Sequence, residues 1–437
     1  MRKCLLHIGM HKTGSSAIQQ ACFFNRAQLI REFNIHYFSE FQNHSALAPC
    51  FLKSPDQYFQ HVFLKHKNLA ESQSYYAGLK ARLTAEINKM KGGTFLLSAE
   101  GFTKFTLAEA QRLGDFLKPL FDEIEVFVYV RHPFTYANSA AQQTLKGGQT
   151  FADISTSLFD LNAVGFNAEG RSSIHPAYQY RIEKYQKIFG KKNVTIREYD
   201  RAKLLDQSIV SDFFQHAFKL SSKKLFKQDE AINPSLGMEA AFLLESLNRN
   251  VPILANGGLN PARSQAILPY LKKLKAEREF ELTEFPWARY RNYVIDDVEW
   301  LSAQTHGRIN FNLSSLPKYK PYTPPEEIDD MANELNELLL TTQRAQTRAQ
   351  VFRKMWLMET GLEDDQASFL KLIKESDDLQ FIVNIAHNLN KTNKKGLALK
   401  VARIGKSKCN ASSDPAIVKK FDNQVASWSK KPVPQTP

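Results

Sequence analysis

The sequence predicts an α/β protein: a parallel sheet flanked by helices, followed by an all-helical carboxy-terminal region. Three observations predict it. Short apolar runs bounded by turn residues occur at Cys4–Gly9, Thr94–Ala99, Val126–Val130 and Asn193–Ile196. Each is followed by a segment of helical periodicity, the alternation that marks parallel sheets. Beyond about Ser235 strand patterns become scarce.

Taken in order, helical patterns fall at Ser15–Phe33, Tyr75–Met90, Leu107–Leu120, Pro133–Leu145, Tyr178–Phe189, Ile209–Phe218, Ser235–Asn248 and Pro261–Ala276. The stretch LPKYKPYTPPEE, with Pro317, Pro321, Pro324 and Pro325, reads as an extended connector. It closes on a helix-start signature: Thr323 as N-cap, Pro324 at the first helical position and Glu326 to complete a capping box. The helix it starts runs to about Met358. Past Gly361 the pattern is wholly helical, and Asp377–Trp428 reads as three helices separated by turns. Ala386, Ala398 and Gly405 take the small positions of a tetratricopeptide-like unit, and Asp414-Pro415 restarts the third helix. An ordinary helical cap fits that pattern equally well. The expected domains are therefore 1–315, a connector with a long helix over 316–360, and a helical region over 361–437.

The chain has 437 residues, 43% hydrophobic and 24% charged, with 31 Phe, 15 Tyr and 4 Trp. That excludes intrinsic disorder and suggests more than one domain. No apolar run reaches the ~18 residues of a membrane-spanning helix. The apolar start breaks at His7 and leads into Gly and Lys, so it reads as a buried strand rather than a signal peptide. Cys4, Cys22, Cys50 and Cys409 have no metal-ligand spacing, so no metal is expected and the chain reads as reduced and cytoplasmic. The net charge of +13 is concentrated in residues 391–437, which carry +9, leaving +4 for the rest. A solvated helical face is the preferred reading of that tail and a membrane-surface or polyanion contact the lesser one, and no nucleic-acid partner is expected.

The chemically informative segment is Leu5–Ser16. A buried strand, a glycine-containing turn and a helix converge backbone N–H groups on one point, an arrangement suited to phosphate. Gly9 and Gly14 have the spacing of the GxxxxGK[ST] phosphate loop, but Ser15 stands where that pattern needs lysine, and the lysine is Lys12, inside the turn. No acidic residue follows an apolar strand convincingly enough to hold magnesium. The fold class is P-loop-type, without the parts of a nucleoside triphosphatase.

The string GMHKTGSSAIQ resembles the 5′-phosphosulfate loop of sulfotransferases that use 3′-phosphoadenosine 5′-phosphosulfate (PAPS). Lys12, Thr13, Gly14, Ser15 and Ser16 fill the family pattern Lys-[Thr/Ser]-Gly-[Thr/Ser]-[Thr/Ser], with Gly9 and His11 completing the turn. A second motif is an Arg ending an apolar strand with a Ser eight positions later on the next helix. VFVYVRHPFTYANSA supplies Arg131 and Ser139 at that spacing. The resemblance implies that both bind the 3′-phosphate, and Arg-His-Pro is similar to the carbohydrate branch. Weaker echoes are FGKKNVTIREYD, the Asn-x-Ser-Leu segment with Asn233 and Ser235, and DDVEWL at Asp296–Leu301, so the likeness spans about residues 1–315.

What the resemblance implies is metal-independent, in-line transfer of a sulfuryl group from PAPS to a hydroxyl or amine of a carbohydrate or glycolipid acceptor, releasing adenosine 3′,5′-bisphosphate. Lys12 would neutralise the leaving phosphate. The general base is either Glu100, at the end of the strand TFLLSA, or His44, in FSEFQNHSALAP. Gln143 and Lys146 either reach substrate or lie on the surface, and Lys53–Ser74 and Thr150–Pro176 are the expected specificity loops. A P-loop kinase and a non-catalytic scaffold are the alternatives. The carboxy-terminal helices would be the place for a protein partner.

Overall fold

The computed structural model describes residues 1–10, 12–55, 68–156, 174–221, 235–255, 258–359, 365–392, 394–410 and 413–429. His11, Asn233 and much of both expected specificity loops lie outside the described residues. The chain divides into two compact units, one of residues 1–259 with 271–328, the other of residues 260–270 with 329–437.

The first unit is built on a five-stranded parallel sheet in the order β2-β3-β1-β4-β5. The strands are β1 Arg2–His7, β2 Ile35–Tyr37, β3 Gly93–Ser98, β4 Glu123–Val130 and β5 Val194–Glu198. Helices cover the sheet: α1 Ser15–Phe24, α2 Arg26–Phe33, α3 Leu69–Asn88, α4 Leu107–Leu117, α5 Pro133–Lys146, α6 Phe151–Thr156, α7 Tyr178–Phe189 and α8 Ile209–Phe218. After α9 Met238–Asn250 come a short ribbon, β6 Leu254–Ala255 and β7 Gly258–Leu259, then α10 Ile267–Leu271, all but its last residue part of the second unit, and α11 Trp287–Gln304. All four anticipated strands form, and β2 is an addition. It is three residues long, too short for its alternation to show in the sequence. The helix expected over Ser15–Phe33 is two, divided at Asn25, whose side-chain amide donates to the carbonyl of Ala21.

β1 lies at the centre, between β3 and β4, and its burial is why its sequence is an unbroken apolar run. Leu5 packs with Ile18 and Cys22 of α1, Tyr129 of β4 and Phe213 of α8 in one buried cluster. The chain crosses from one half of the sheet to the other between β3 and β4. The carboxyl ends of β1 and β4 therefore flank the point where open α/β sheets bind ligands.

The second unit contains α12 Ile328–Glu359, α13 Gln366–Glu375, α14 Leu379–Lys391, α15 Lys395–Lys408 and α16 Pro415–Trp428. The long helix starts at Ile328, not at Pro324. Ile328 N–H reaches the carbonyl of Pro325, and Asp329 and Asp330 occupy the first turn, where the helix dipole favours acids. Ala386, Ala398 and Val401 are buried with Phe421 in a single cluster. Asp378 caps α14 through Phe381 N–H, and Asp414 caps α16 through Ala416 N–H. Among the described residues no helix is long and apolar enough to cross a membrane.

Candidate donor-binding site

The turn after β1 is shaped by two left-handed residues, Lys12 at φ 64° and Gly14 at φ 80°. Glycine adopts this conformation freely, whereas a lysine costs about 1 kcal/mol, so something must hold Lys12 there. Two contacts do. The Thr13 hydroxyl donates to the Met10 carbonyl at 2.7 Å, and Arg131 Nη1 donates to the Lys12 carbonyl at 3.1 Å. Gly14 then caps α1, whose first N–H groups point back into the turn.

Inside the turn Ser15 is 1% exposed, and its hydroxyl has no hydrogen-bond partner. A buried hydroxyl left unpaired costs about 1–3 kcal/mol. Only a glycine at position 9 lets the hydroxyl sit there: a Cβ at Gly9 would stand 2.0 Å from Ser15 Oγ. An orphaned donor in a cradle closed by any side chain at position 9 fits an anion held by the turn. Ser16 is exposed at the next position.

Arg131, at the end of β4, joins the two sequence motifs. Nη1 donates to the Lys12 carbonyl and to Ser139 Oγ (3.0 Å), and Nε donates to Thr135 Oγ1 at 3.0 Å. Its guanidinium lies 5.7 Å from the ring centre of Tyr199, and the Tyr178 hydroxyl donates to its carbonyl. Burial lowers the pKa of Arg131, with no effect on its charge at neutral pH.

Lys12 is half-buried, and its pKa is lowered first by burial, with Lys272 and Arg131 adding to the effect and Glu100 opposing it. Lys146 donates to Gln142 Oε1 at 2.8 Å, and Gln142 is held in turn by Ser235 Oγ at 2.9 Å. Burial, with Lys12 and Lys272 nearby, brings the Lys146 ammonium down to about 7. The charges of Lys12 and Lys272 reach Lys146, and those of Lys272 and Arg131 reach Lys12, a field that suits a multiply charged anion. Gln143, the neighbouring candidate on α5, is exposed.

The two candidate bases separate clearly. Glu100 opens the 3-10 turn Glu100–Lys104 directly after β3, and its Cγ is 3.4 Å from where a Gly9 Cβ would be. It is half-buried and faces the field of Lys12. His44 is fully buried, with Nδ1 accepting the Ser98 N–H at 3.0 Å and Nε2 donating to the Phe38 carbonyl at 3.2 Å. Its ring packs 4.2 Å from that of Tyr37, and burial holds its pKa down at about 3. No lone pair remains for an acceptor proton. The expectation that His44 serves as a base is corrected: it ties the segment His44–Phe51 to the end of β3. His7, expected within the sheet, is fully buried there, with Nδ1 against Ser98 Oγ at 2.8 Å.

Sequence reading missed Lys272, Thr135, Tyr178 and Tyr199. Lys272 sits in the run LKKLK, indistinguishable from a solvated face. Tyr178 is fixed from α11, where Asp297 accepts the N–H groups of Tyr178 and Gln179 at 2.6 and 2.8 Å.

No family model and no curated protein matches the chain. Among solved structures it is similar to a sulfotransferase from Alicyclobacillus acidocaldarius, with 12% identity and a TM-score of 0.33, over 70% of this chain and 96% of that one.

Proposed function

We propose that this chain is a PAPS-dependent sulfotransferase acting on a hydroxyl or amine of a carbohydrate-like acceptor. The observation that carries the reading is the Arg131 guanidinium, which spans Lys12 of the first motif and Ser139 of the second. A turn that binds only a 5′-phosphate has no need of a second cation and hydroxyl at the end of the neighbouring strand. A nucleotide with a further phosphate on its ribose does.

When bound, the nucleotide supplies an activated sulfuryl group through its phosphosulfate anhydride. The chain supplies position and charge. The amides of the turn and the Ser15 hydroxyl hold the 5′-phosphate, with Thr13 shaping the turn and Ser16 at its mouth. Arg131 and Ser139 hold the 3′-phosphate, Arg131 through Nη2, since Nε and Nη1 are spent on Thr135, Lys12 and Ser139. The Lys12 ammonium neutralises charge on the departing phosphate oxygen, a contribution worth several kcal/mol in a half-buried site. A Glu100 carboxylate oxygen, at the carboxyl end of β3 beside Gly9, takes the proton of the acceptor hydroxyl.

Calorimetric titration with adenosine 3′,5′-bisphosphate tests the reading, with AMP and ATP–magnesium as controls and Arg131→Ala alongside. The expected result is micromolar binding of the bisphosphate, at least about tenfold weaker for AMP and for the variant, as loss of a charged hydrogen bond implies. Preference for ATP with magnesium would transfer the site to a kinase. No binding of any nucleotide would leave a scaffold.

A further inference from the structure

The long helix α12 presents one face that its own unit leaves largely exposed, with only Phe352 near its end meeting the Phe381 ring of α14 edge-on at 5.6 Å. Ala332, Leu340, Val351 and Met355 are buried. Asn336 joins them, accepting the Ser264 N–H at 2.9 Å and donating to the Ala262 carbonyl at 2.7 Å. On the opposite face Met331, Leu338 and Phe352 are 48%, 62% and 52% exposed. They stand at seven-residue spacing with Ala345 between Leu338 and Phe352, and half-buried Leu335 lies beside them. A straight seam of this period is the signature of a helix that pairs with another helix.

The charge along one edge of the seam identifies the partner. Reading up the helix at alternating spacings of four and three residues, that edge is Asp330, Glu334, Glu337, Thr341, Arg344, Arg348. Three acids precede Thr341 and two arginines follow it. A parallel neighbour of the same sequence would set acid against acid and arginine against arginine. An antiparallel copy, related by a two-fold axis near Thr341 and Thr342, sets Glu334 beside Arg348 and Glu337 beside Arg344. It also puts Leu338 opposite Ala345 and Met331 opposite Phe352, so large residues meet small ones at the centre and the two long ones meet at the ends. In an antiparallel pair related in this way, equivalent edges of the two helices adjoin, which the arrangement requires. Arg344 and Arg348 already pair with Asp377 and Asp378, yet their side chains stay 42% and 50% exposed, leaving N–H groups for a second carboxylate.

We infer that α12 is a homodimerisation helix, pairing antiparallel with α12 of a second copy through Met331, Leu338, Ala345 and Phe352. The contact runs over about 33 Å of helix at 1.5 Å per residue. It owes nothing to the nucleotide reading and stands if that reading fails.

The test uses the full chain. Sedimentation or light scattering is expected to give twice the 49.9 kDa chain mass at micromolar concentration. Leu338→Glu, on an exposed position, should raise the dissociation constant by at least about 30-fold, the size of a central apolar contact, with the circular dichroism unchanged. Glu334→Arg and Arg348→Glu should each weaken the dimer, and the double variant should recover it. Under oxidation, Thr342→Cys should link to its own copy. Met331→Cys should not, because its counterpart lies about 30 Å away along the axis. A monomer up to about 100 µM, a dimer indifferent to Leu338→Glu, or self-linking by Met331→Cys would each overturn the proposal.

Discussion

Gly9 in the turn after β1 and Gly405 in α15 are both positions where a side chain has no room, and the two regions use that constraint in opposite ways. A Cβ at Gly405 would stand 2.2 Å from the Phe421 ring, so the space is already filled and the helices pack directly on it. A Cβ at Gly9 would stand 2.0 Å from Ser15 Oγ, a buried hydroxyl with no partner. One glycine completes a packed interior. The other preserves an unmet hydrogen bond, beside a left-handed lysine and half-buried cations. Unpaired buried oxygens also occur at Asn390 and Gln424 of the second unit, so neither strain nor unmet polarity marks a site by itself; the turn after β1 differs in bringing both together beside cations.

The sharpest way to break the contrast is to remove the charge from the turn. Lys12→Met should lower sulfuryl transfer by about 10²–10³-fold, the usual cost of losing a donor aimed at developing charge. Thermal stability should hold, because the variant keeps the backbone pinned by Arg131. Turnover within a factor of three of the parent would refute the role of Lys12. The opposite case is Gly405→Ala, which should cost about 1–3 kcal/mol of stability by overpacking against Phe421, with bisphosphate affinity unchanged. Denaturant melts and calorimetry on the same sample decide it.

Acid should act next most strongly, and on the sheet. Burial holds His7 at about 4 and His44 at about 3, both below the ordinary value of 6.5. A depressed histidine is neutral when folded and charges on unfolding. Its contribution is complete above pH 6.5 and falls away as the pH drops toward the folded values, by about 1 kcal/mol per pH unit for each group. The interval from pH 6.5 to 5 lies above most carboxylate titrations, so a melting temperature that stays flat across it would contradict the burial of these rings.

The smallest effect is the most discriminating. Ser15→Ala removes a donor that the unliganded chain leaves unpaired, so stability should stay level or rise by up to about 1 kcal/mol. Nucleotide affinity should fall in the same variant. A loss of stability would mean that the hydroxyl serves the fold after all.

Much of this was legible in the sequence, and the exceptions share a cause. The β1 turn and the Arg131–Ser139 spacing are local, set by a few consecutive residues, and the structure brings them together through Arg131. Lys272 enters the site from more than a hundred residues beyond α5, and no local pattern reports such an approach. His44 was misread because it lies in an irregular stretch, where polar residues are usually exposed. The clue was its neighbours: Phe38 stands 5.8 Å from its ring in the structure, and an aromatic-rich loop folds inward. The break at Asn25 and the delayed start of α12 are boundary matters decided by single hydrogen bonds.

The bond from Arg131 to the Lys12 carbonyl joins groups 119 positions apart. That separation has a consequence for how the chain is made. β1 leaves the ribosome first, but it is the central strand, and both of its neighbours are synthesised later. Until β4 has emerged and docked, Arg131 cannot reach the Lys12 carbonyl, and only the local bond from Thr13 to the Met10 carbonyl shapes the turn. On the proposed reading, nucleotide binding should therefore arrive abruptly during translation, once residue 139 has cleared the exit tunnel, rather than grow with chain length.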